Sequence, residues 1–181
     1  MVKVKEMDIL LHICCAPCSL YSWQALEAKG HNIEGFFYNP NIHPYREFEK
    51  RKEALRSLAE WEDRSIFIDE RYLLNDYLRQ VVNREEMRCE LCYAMRLEET
   101  ARQAKEKGIE GFSTTLLISP YQQHELLRET GGRIAEEYGL KFVYEDMRPG
   151  FRESMGLARE KGLYMQGYCG CIYSERDRYE K

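Results

Sequence analysis

The feature that most constrains the fold is a regular alternation of apolar, strand-like runs with helical segments. The predicted strands are Asp8–Cys15, Asn32–Tyr38, 65–69, Ile109–Ile118 and Lys141–Asp146. The predicted helices are Ser19–Lys29, Tyr45–Trp61, Tyr72–Arg84, the stretch after Cys92 up to Lys107, Gln122–Tyr138 with a break at Gly131-Gly132, and 151–161. Strand–helix alternation repeated five times predicts an α/β fold with a mainly parallel sheet and helices on both faces.

The length of 181 residues suits one domain, and the sequence contains no repeat or linker. We therefore predict a single α/β domain over 1–181, ending in an irregular tail rich in Gly, Tyr and Cys. No apolar run approaches the roughly 18 residues of a membrane span. The opening MVKVKEMDILLHICCA is interrupted by Glu6 and Asp8, which is not typical of a signal peptide. We expect a cytoplasmic protein with no membrane partner.

Polar and sulfur-containing residues follow the predicted strands. In an open α/β sheet, ligands bind beyond the carboxyl ends of the strands. The residues expected at that edge are Cys14-Cys15, Tyr38-Asn39-Pro40-Asn41, Asp69-Glu70, Ser113-Thr114-Thr115 and Asp146-Met147-Arg148. The sequence thus predicts a functional site at one edge of the sheet.

Seven cysteines fall into three groups, Cys14-Cys15-x-x-Cys18, Cys89-x-x-Cys92 and Cys169-x-Cys171. A single cysteine is often only a small buried apolar residue. In a reducing compartment, however, clustered cysteines indicate metal binding or catalysis rather than structural disulfides.

The pair Cys89 and Cys92 is typical of metal ligands at the start of a helix, where the helix dipole favours negative charge. Cys14 and Cys15 are the natural further donors if the strand ends there and the backbone turns. Four thiolates bind zinc or an iron–sulfur cluster, and the spacing does not decide between them. Cys15-Ala16-Pro17-Cys18 also permits a thioredoxin-type redox pair, and Cys18 has no assigned role.

Cys169 and Cys171 are separated by a glycine. Such thiols close only a small, strained disulfide ring, and strain raises the reduction potential. The pair therefore suits reversible two-electron exchange, although two idle thiols in a mobile tail would look the same.

Basic residues form two runs that could meet a phosphate backbone, or that could simply be solvated helix faces. One run includes Arg51 and Lys52, which the helical pattern predicts on the solvated side of the Tyr45–Trp61 helix, and the other begins at Arg148. The net charge of −4 gives no global sign of nucleic-acid binding.

His43, between two prolines, could donate a proton or cap the next helix, and tyrosines could stack on a base.

Five segments together resemble the cobalamin-independent, iron–sulfur epoxyqueuosine reductases of the QueH type. These are LHICCAPCS, FFYNPNIHPYREFEKR, RCELCYAMRL, FSTTLLISPYQ and GYCGCIYS, which span nearly the whole chain. The resemblance implies a Rossmann-like fold and a [4Fe–4S] cluster held by Cys14, Cys15, Cys89 and Cys92. It further implies a redox-active pair at Cys169 and Cys171, and a mononuclear iron beside the cluster whose ligands are not assigned.

The implied reaction removes the epoxide oxygen of epoxyqueuosine at the tRNA wobble position, which yields queuosine. It requires an unidentified electron donor, and a tyrosine, His43 or Asp146 is the expected proton donor. Residues expected to contact the tRNA are Tyr38, Asn39, Asn41, Tyr45, Arg51, Lys52, Tyr121 and Arg148. The alternatives are a zinc-stabilised tRNA-binding module and a thiol–disulfide oxidoreductase.

Overall fold

Five parallel strands form one sheet in the computed structural model, in the order β3–β2–β1–β4–β5. The structure describes residues 6–180, so residues 1–5 and 181 of the predicted domain lie outside it. The strands are β1 (Asp8–His12), β2 (Asn32–Phe37), β3 (Ile66–Ile68), β4 (Gly111–Thr114) and β5 (Lys141–Phe142). The helices are α1 (Ala16–Glu27), α2 (Tyr45–Trp61), α3 (Leu74–Val81), α4 (Arg88–Lys107), α5 (His124–Tyr138), α6 (Phe151–Glu160) and α7 (Ile172–Tyr179).

Helices cover both faces of the sheet, as predicted. Successive residues of a strand point to opposite faces. Ile9 and Leu11 of β1 therefore pack with α1, α2 and α6, whereas Leu10 packs with α4 and α5. Within residues 6–180, no helix is long and apolar enough to cross a membrane.

The strand order places a topological switch point at β1. The chain moves from β1 outward to β2 and β3, then returns to the other side of β1 to form β4 and β5. The loops that leave β1 and β4 therefore diverge, and the crevice between them is where open α/β sheets bind ligands. Cys14 follows β1 and Thr115 follows β4, so both residues border this crevice.

Three strand predictions extend too far, and one of them, Lys141–Asp146, is wrong beyond Phe142. The predicted strand Ile109–Ile118 is wrong beyond Thr114, because Thr115–Ile118 forms a fully buried 3₁₀ helix. The side chain of Thr114 accepts a hydrogen bond from the Leu116 N–H and thereby caps that turn. The predicted strand Asp8–Cys15 ends at His12, which leaves Cys14 and Cys15 in the turn before α1. Buried strands and buried 3₁₀ turns share an apolar composition, so composition alone does not separate them.

Two segments are more helical than the sequence indicates. Helix α5 runs unbroken through Gly131-Gly132, and the tail predicted to be irregular contains α7. Gly131 lies where α5 packs against β5, because a Cβ atom there would overlap the ring of Phe142. A Cβ atom added at Gly132 would meet no other atom within 4 Å.

This glycine pair provides a matched test of the packing. We expect Gly131→Ala to destabilise the protein by about 1–3 kcal/mol through overpacking against Phe142. Gly132→Ala should stabilise the protein by about 0.5–1 kcal/mol, since alanine loses less backbone entropy in a helix. Urea unfolding of both variants measures the difference. Equal stabilities would contradict the close contact between α5 and β5.

Candidate metal centre

Three cysteine sulfurs converge in the turn between β1 and α1. The sulfur atoms of Cys14, Cys15 and Cys18 all lie within 4.8 Å of one another, and those of Cys14 and Cys15 are 3.7 Å apart. They converge because β1 ends at His12 and α1 begins at Ala16, so the adjacent cysteines do not follow strand alternation. Cys18, which the sequence left without a role, lies in this group.

Hydrogen bonds orient and polarise these sulfurs. Thr115 Oγ1 lies 3.2 Å from Cys14 Sγ, and Gln166 Nε2 lies 2.8 Å from Cys15 Sγ. Hydrogen bonding with Cys15 and Cys18 lowers the pKa of Cys14 well below its usual range. Burial raises the pKa of Cys15, and the hydrogen bond to Cys14 raises the pKa of Cys18.

Cys89 and Cys92 occupy the first turn of α4, as the motif predicts. Burial raises the pKa of both, that of Cys92 to about 12. Neither sulfur belongs to the tight group of Cys14, Cys15 and Cys18, and both thiols interact electrostatically with Cys169 and Cys171. The four-cysteine ligand set Cys14, Cys15, Cys89 and Cys92 therefore stays a prediction.

Arg51 of α2 holds the loop that carries Cys169 and Cys171 through two hydrogen bonds. Arg51 donates from Nη1 to the Cys169 carbonyl (2.7 Å) and from Nη2 to the Tyr168 carbonyl (2.9 Å). Cys169 is exposed, whereas Cys171 is buried and accepts a hydrogen bond from the Ser174 N–H at the start of α7. Gly170 has φ +153°, a conformation that favours glycine.

The buried guanidinium of Arg96 interacts electrostatically with cysteines of all three motifs. Its Nε donates to the Cys92 carbonyl at 3.3 Å. Burial alone would lower the pKa of Arg96, but electrostatic interactions with Cys92, Cys169 and Cys14 raise it. Sulfurs from all three cysteine motifs therefore share one positively charged neighbour.

A cavity of about 390 Å³ opens beside these groups. Cys14 and Cys18 lie on its wall together with Cys169, so thiols from the first and last motifs face the same space. Gln122 and Gln166, the hydrogen-bond donors to Cys169 and Cys15, also line it. The volume suits a small group rather than a folded nucleic acid.

Two predicted substrate residues, Arg51 and Lys52, are buried in ion pairs. Arg51 and Lys52 are only 2% and 5% exposed, so their placement on a solvated face is wrong. Arg51 is paired with Glu47 and the tail, and Lys52 is paired with Glu49 at 2.6 Å. Neither side chain is accessible to a phosphate backbone.

His43 and Asp146 are poorly suited to proton donation. Burial lowers the pKa of His43 to about 4, and its Nε2 is 3.0 Å from the Pro40 carbonyl while Nδ1 accepts from the Ile172 N–H. His43 therefore joins its loop to the tail. The Arg148 side chain lowers the pKa of Asp146 to about 2, so this exposed carboxyl is ionised at neutral pH.

The remaining predicted contacts divide between loops and the cavity. Asn39 donates to the Ile13 carbonyl at 2.9 Å, and Asn41 is buried beside Gly170. Tyr38 is half-buried, and Tyr45 is exposed and packs edge-on against Tyr72. Tyr121 is the one predicted aromatic on the cavity wall; it is 84% exposed and meets Phe151 edge-on. The contact role of these residues stays a prediction.

The sequence reasoning missed Arg96, Thr115 in its contact with Cys14, and both glutamines. A usable signal existed for Arg96 alone. Arg96 follows Cys92 by four positions, so it shares the CxxC face of α4, where it interrupts the buried stripe of Tyr93, Leu97 and Ala101. The glutamines are recognisable only after folding, since each lies far along the chain from its sulfur.

The donor set fits a soft metal or an iron–sulfur cluster. Thiolates select such metals, and hydrogen bonds to sulfur tune them. Nη2 of the buried Arg96 has no hydrogen-bond partner. An anionic metal–thiolate centre beside it would compensate the positive charge of the guanidinium. The fold and the site thus define a Rossmann-like protein with a group of cysteines suited to hold a metal at its switch point.

Comparison with known proteins makes the class specific. The family model described as epoxyqueuosine reductase QueH matches residues 9–177, and this chain belongs to that family. It is 38% identical over 173 residues to "Epoxyqueuosine reductase QueH" of Dehalococcoides mccartyi, covering 96% of this chain and 95% of the relative. The Thermotoga maritima protein of the same name is 37% identical, with 96% and 93% covered.

A solved structure shares the fold. The "U34-tRNA thiolase NcsA from Methanococcus maripaludis with its [4Fe-4S] cluster" superposes with a TM-score of 0.62 at 16% identity. The match covers 96% of this chain and 63% of the thiolase. It confirms the predicted Rossmann-like architecture.

Proposed function

We propose that this protein is an epoxyqueuosine reductase that converts epoxyqueuosine to queuosine at the wobble position of tRNA. The observation that carries the proposal is the shared cavity, where Cys14 and Cys18 of the metal-binding turn face the same space as Cys169 of the tail pair. Membership of the QueH family supports the same reaction. A redox thiol and a metal centre on one cavity wall suit a two-electron reduction of a small group.

A [4Fe–4S] cluster is the proposed cofactor. Cys14 and Cys15, with Cys89 and Cys92 of α4, are the proposed ligands, and Cys18 is placed to serve as a further sulfur donor. When bound, the cluster supplies electrons one at a time. The adjacent mononuclear iron implied by the resemblance remains part of the proposal without assigned ligands.

The dithiol of Cys169 and Cys171 is the proposed source of the electrons and protons that the reaction consumes. Deoxygenation breaks both C–O bonds of the epoxide, leaves a carbon–carbon double bond and releases oxygen as water. This consumes two electrons and two protons, and oxidation of two thiols to one disulfide yields both. Epoxide plus dithiol therefore balances alkene plus disulfide plus water. An external electron donor of unassigned identity then reduces the disulfide.

The tRNA must present its modified base to the cavity. A volume near 390 Å³ cannot admit the anticodon loop, so the wobble nucleotide turns outward and inserts its side arm. Tyr121, exposed at the cavity wall, is placed to stack on the base, and Arg178 on the same wall can meet phosphate. With His43 and Asp146 unsuited, Tyr121 is also the tyrosine available for proton donation.

Anaerobic purification separates this function from its alternatives. We expect brown protein with about four irons and four sulfides per chain from the cluster alone, and Cys14→Ser or Cys92→Ser should lose them. The same brown protein, given a reductant and tRNA carrying epoxyqueuosine, should form queuosine. Colourless protein with zinc would indicate the structural module, and colourless metal-free protein would indicate a thiol–disulfide oxidoreductase.

A further inference from the structure

Arg96 is a buried cation without a carboxylate partner among the described residues. It is 1% exposed, and no carboxylate of residues 6–180 lies within 4.0 Å of its guanidinium. Its Nε reaches only the Cys92 carbonyl, and its buried Nη2 has no hydrogen-bond partner. Burial of a charge with no compensating partner is strongly unfavourable, so the position requires an explanation.

Other buried arginines of the described chain show the usual solution. Arg51 is equally buried but forms an ion pair with Glu47 at 2.7 Å and donates to two tail carbonyls. Arg64, whose side chain is 6% exposed, also has a buried nitrogen without a hydrogen-bond partner, Nη1, but its Nη2 lies 3.7 Å from the Glu62 carboxylate. Arg96 is therefore distinguished by its lack of a carboxylate, not by its burial.

Three of the groups with which Arg96 interacts electrostatically are cysteine thiols. They are Cys92, Cys169 and Cys14, one from each cysteine motif. The other titratable neighbour on β1, His12, is fully buried and hydrogen-bonded to Thr114 and to the Tyr38 carbonyl. Tyr93 presents only its ring, 5.9 Å away. Thiols carry a lasting negative charge when they ligate a metal, so a metal–thiolate centre would supply the missing countercharge.

We propose that Arg96 is the buried counter-ion of the metal–thiolate centre and holds its reduction potential high. A cluster becomes more negative when it accepts an electron, so a nearby fixed cation in a medium of low dielectric favours the reduced form. Arg96 is a positioning residue, because it acts through the cluster and not on the substrate. The inference rests on the proposed function, since it requires the cluster to be present.

The test is a redox titration of the anaerobically purified holoenzyme, followed by EPR of the reduced cluster. Arg96→Gln keeps a donor but removes the charge, and Arg96→Lys keeps the charge. At the wild-type midpoint we expect the ratio of reduced to oxidised cluster to fall at least tenfold in Arg96→Gln, equivalent to about 59 mV for one electron. Arg96→Lys should retain most of the wild-type ratio.

Arg64→Gln is the matched control. It removes a buried arginine and the same unit of charge. Arg64 precedes β3, however, so it lies at the amino ends of the parallel strands, whereas the cysteine site lies at their carboxyl ends. The ratio should not change in this variant. An equal fall in Arg96→Gln and Arg64→Gln, or no fall in either, overturns the proposal.

A second measurement applies if Arg96→Gln fails to retain the cluster. Arg96→Met should raise the urea midpoint of the metal-free protein, because it removes a buried charge that lacks a partner there. The same substitution should lower iron occupancy after reconstitution. A lower midpoint in the metal-free protein would overturn the proposal. If wild-type protein is brown but the reduction potential is unchanged in Arg96→Gln, only this inference is overturned. Colourless wild-type protein would overturn the proposed function itself.

Discussion

Cys169→Ser and Cys171→Ser are each expected to reduce queuosine formation to background while iron and sulfide contents remain at wild-type levels. The reason is stoichiometric: a disulfide needs both sulfurs, so either substitution removes the two-electron reservoir. The cluster should survive because Cys169 and Cys171 lie outside the tight sulfur group of the β1–α1 turn. Activity is measured as queuosine formed on tRNA, and metal content is measured on the same samples.

A single-turnover experiment sharpens this expectation. Wild-type enzyme, reduced and then freed of excess reductant, should form up to one queuosine per chain and lose two titratable thiols for each product. Either serine variant should form none. Ile172→Ala, which changes the same turn but keeps both thiols, serves as the control and should behave as wild type. Full activity in Cys169→Ser would rule out the proposed dithiol role and would leave the cluster proposal intact.

The order of elements was predictable because each depends on local pattern. The alternation of apolar runs with amphipathic segments recurs throughout the chain, and the bounds of α2 agree with the prediction at both ends. Errors fall where local composition is ambiguous. Thr115–Ile118 is as apolar as a strand, yet the capping side chain of Thr114 turns it into a 3₁₀ helix.

The site was predictable in its sulfur chemistry and not in its polar partners. Cysteine spacing identifies three motifs, and strand topology brings Cys14 and Thr115 to one crevice. Arg51 was misplaced because its environment is non-local. A helical pattern treats a charged residue as solvated, but the tail covers Arg51 from a point 117 residues further along the chain. Such a contact leaves no trace in local periodicity.

Arg51→Met is expected to lower the free energy of unfolding by roughly 3–5 kcal/mol, the scale of breaking a buried ion pair. The substitution leaves Glu47 buried without its cation and removes the donors to the Tyr168 and Cys169 carbonyls. Tyr164 donates to Glu47 from the other side at 2.6 Å, but one hydroxyl cannot replace a guanidinium. Urea unfolding measures the loss.

Arg56→Met is the matched control, because it removes an arginine from the same helix. Arg56 pairs with Glu53 and Glu70 at the surface, where ion pairs contribute about 0–1 kcal/mol. We expect that variant to unfold near the wild-type midpoint. Hydrogen exchange provides the local test: amides over 168–172 should exchange faster in Arg51→Met and unchanged in Arg56→Met, because Arg51 ties that loop to α2. Equal stabilities and equal exchange would show that the Cys169 loop is held by its other contacts, the Tyr168 hydroxyl to the His43 carbonyl and the Ile172 N–H to His43 Nδ1.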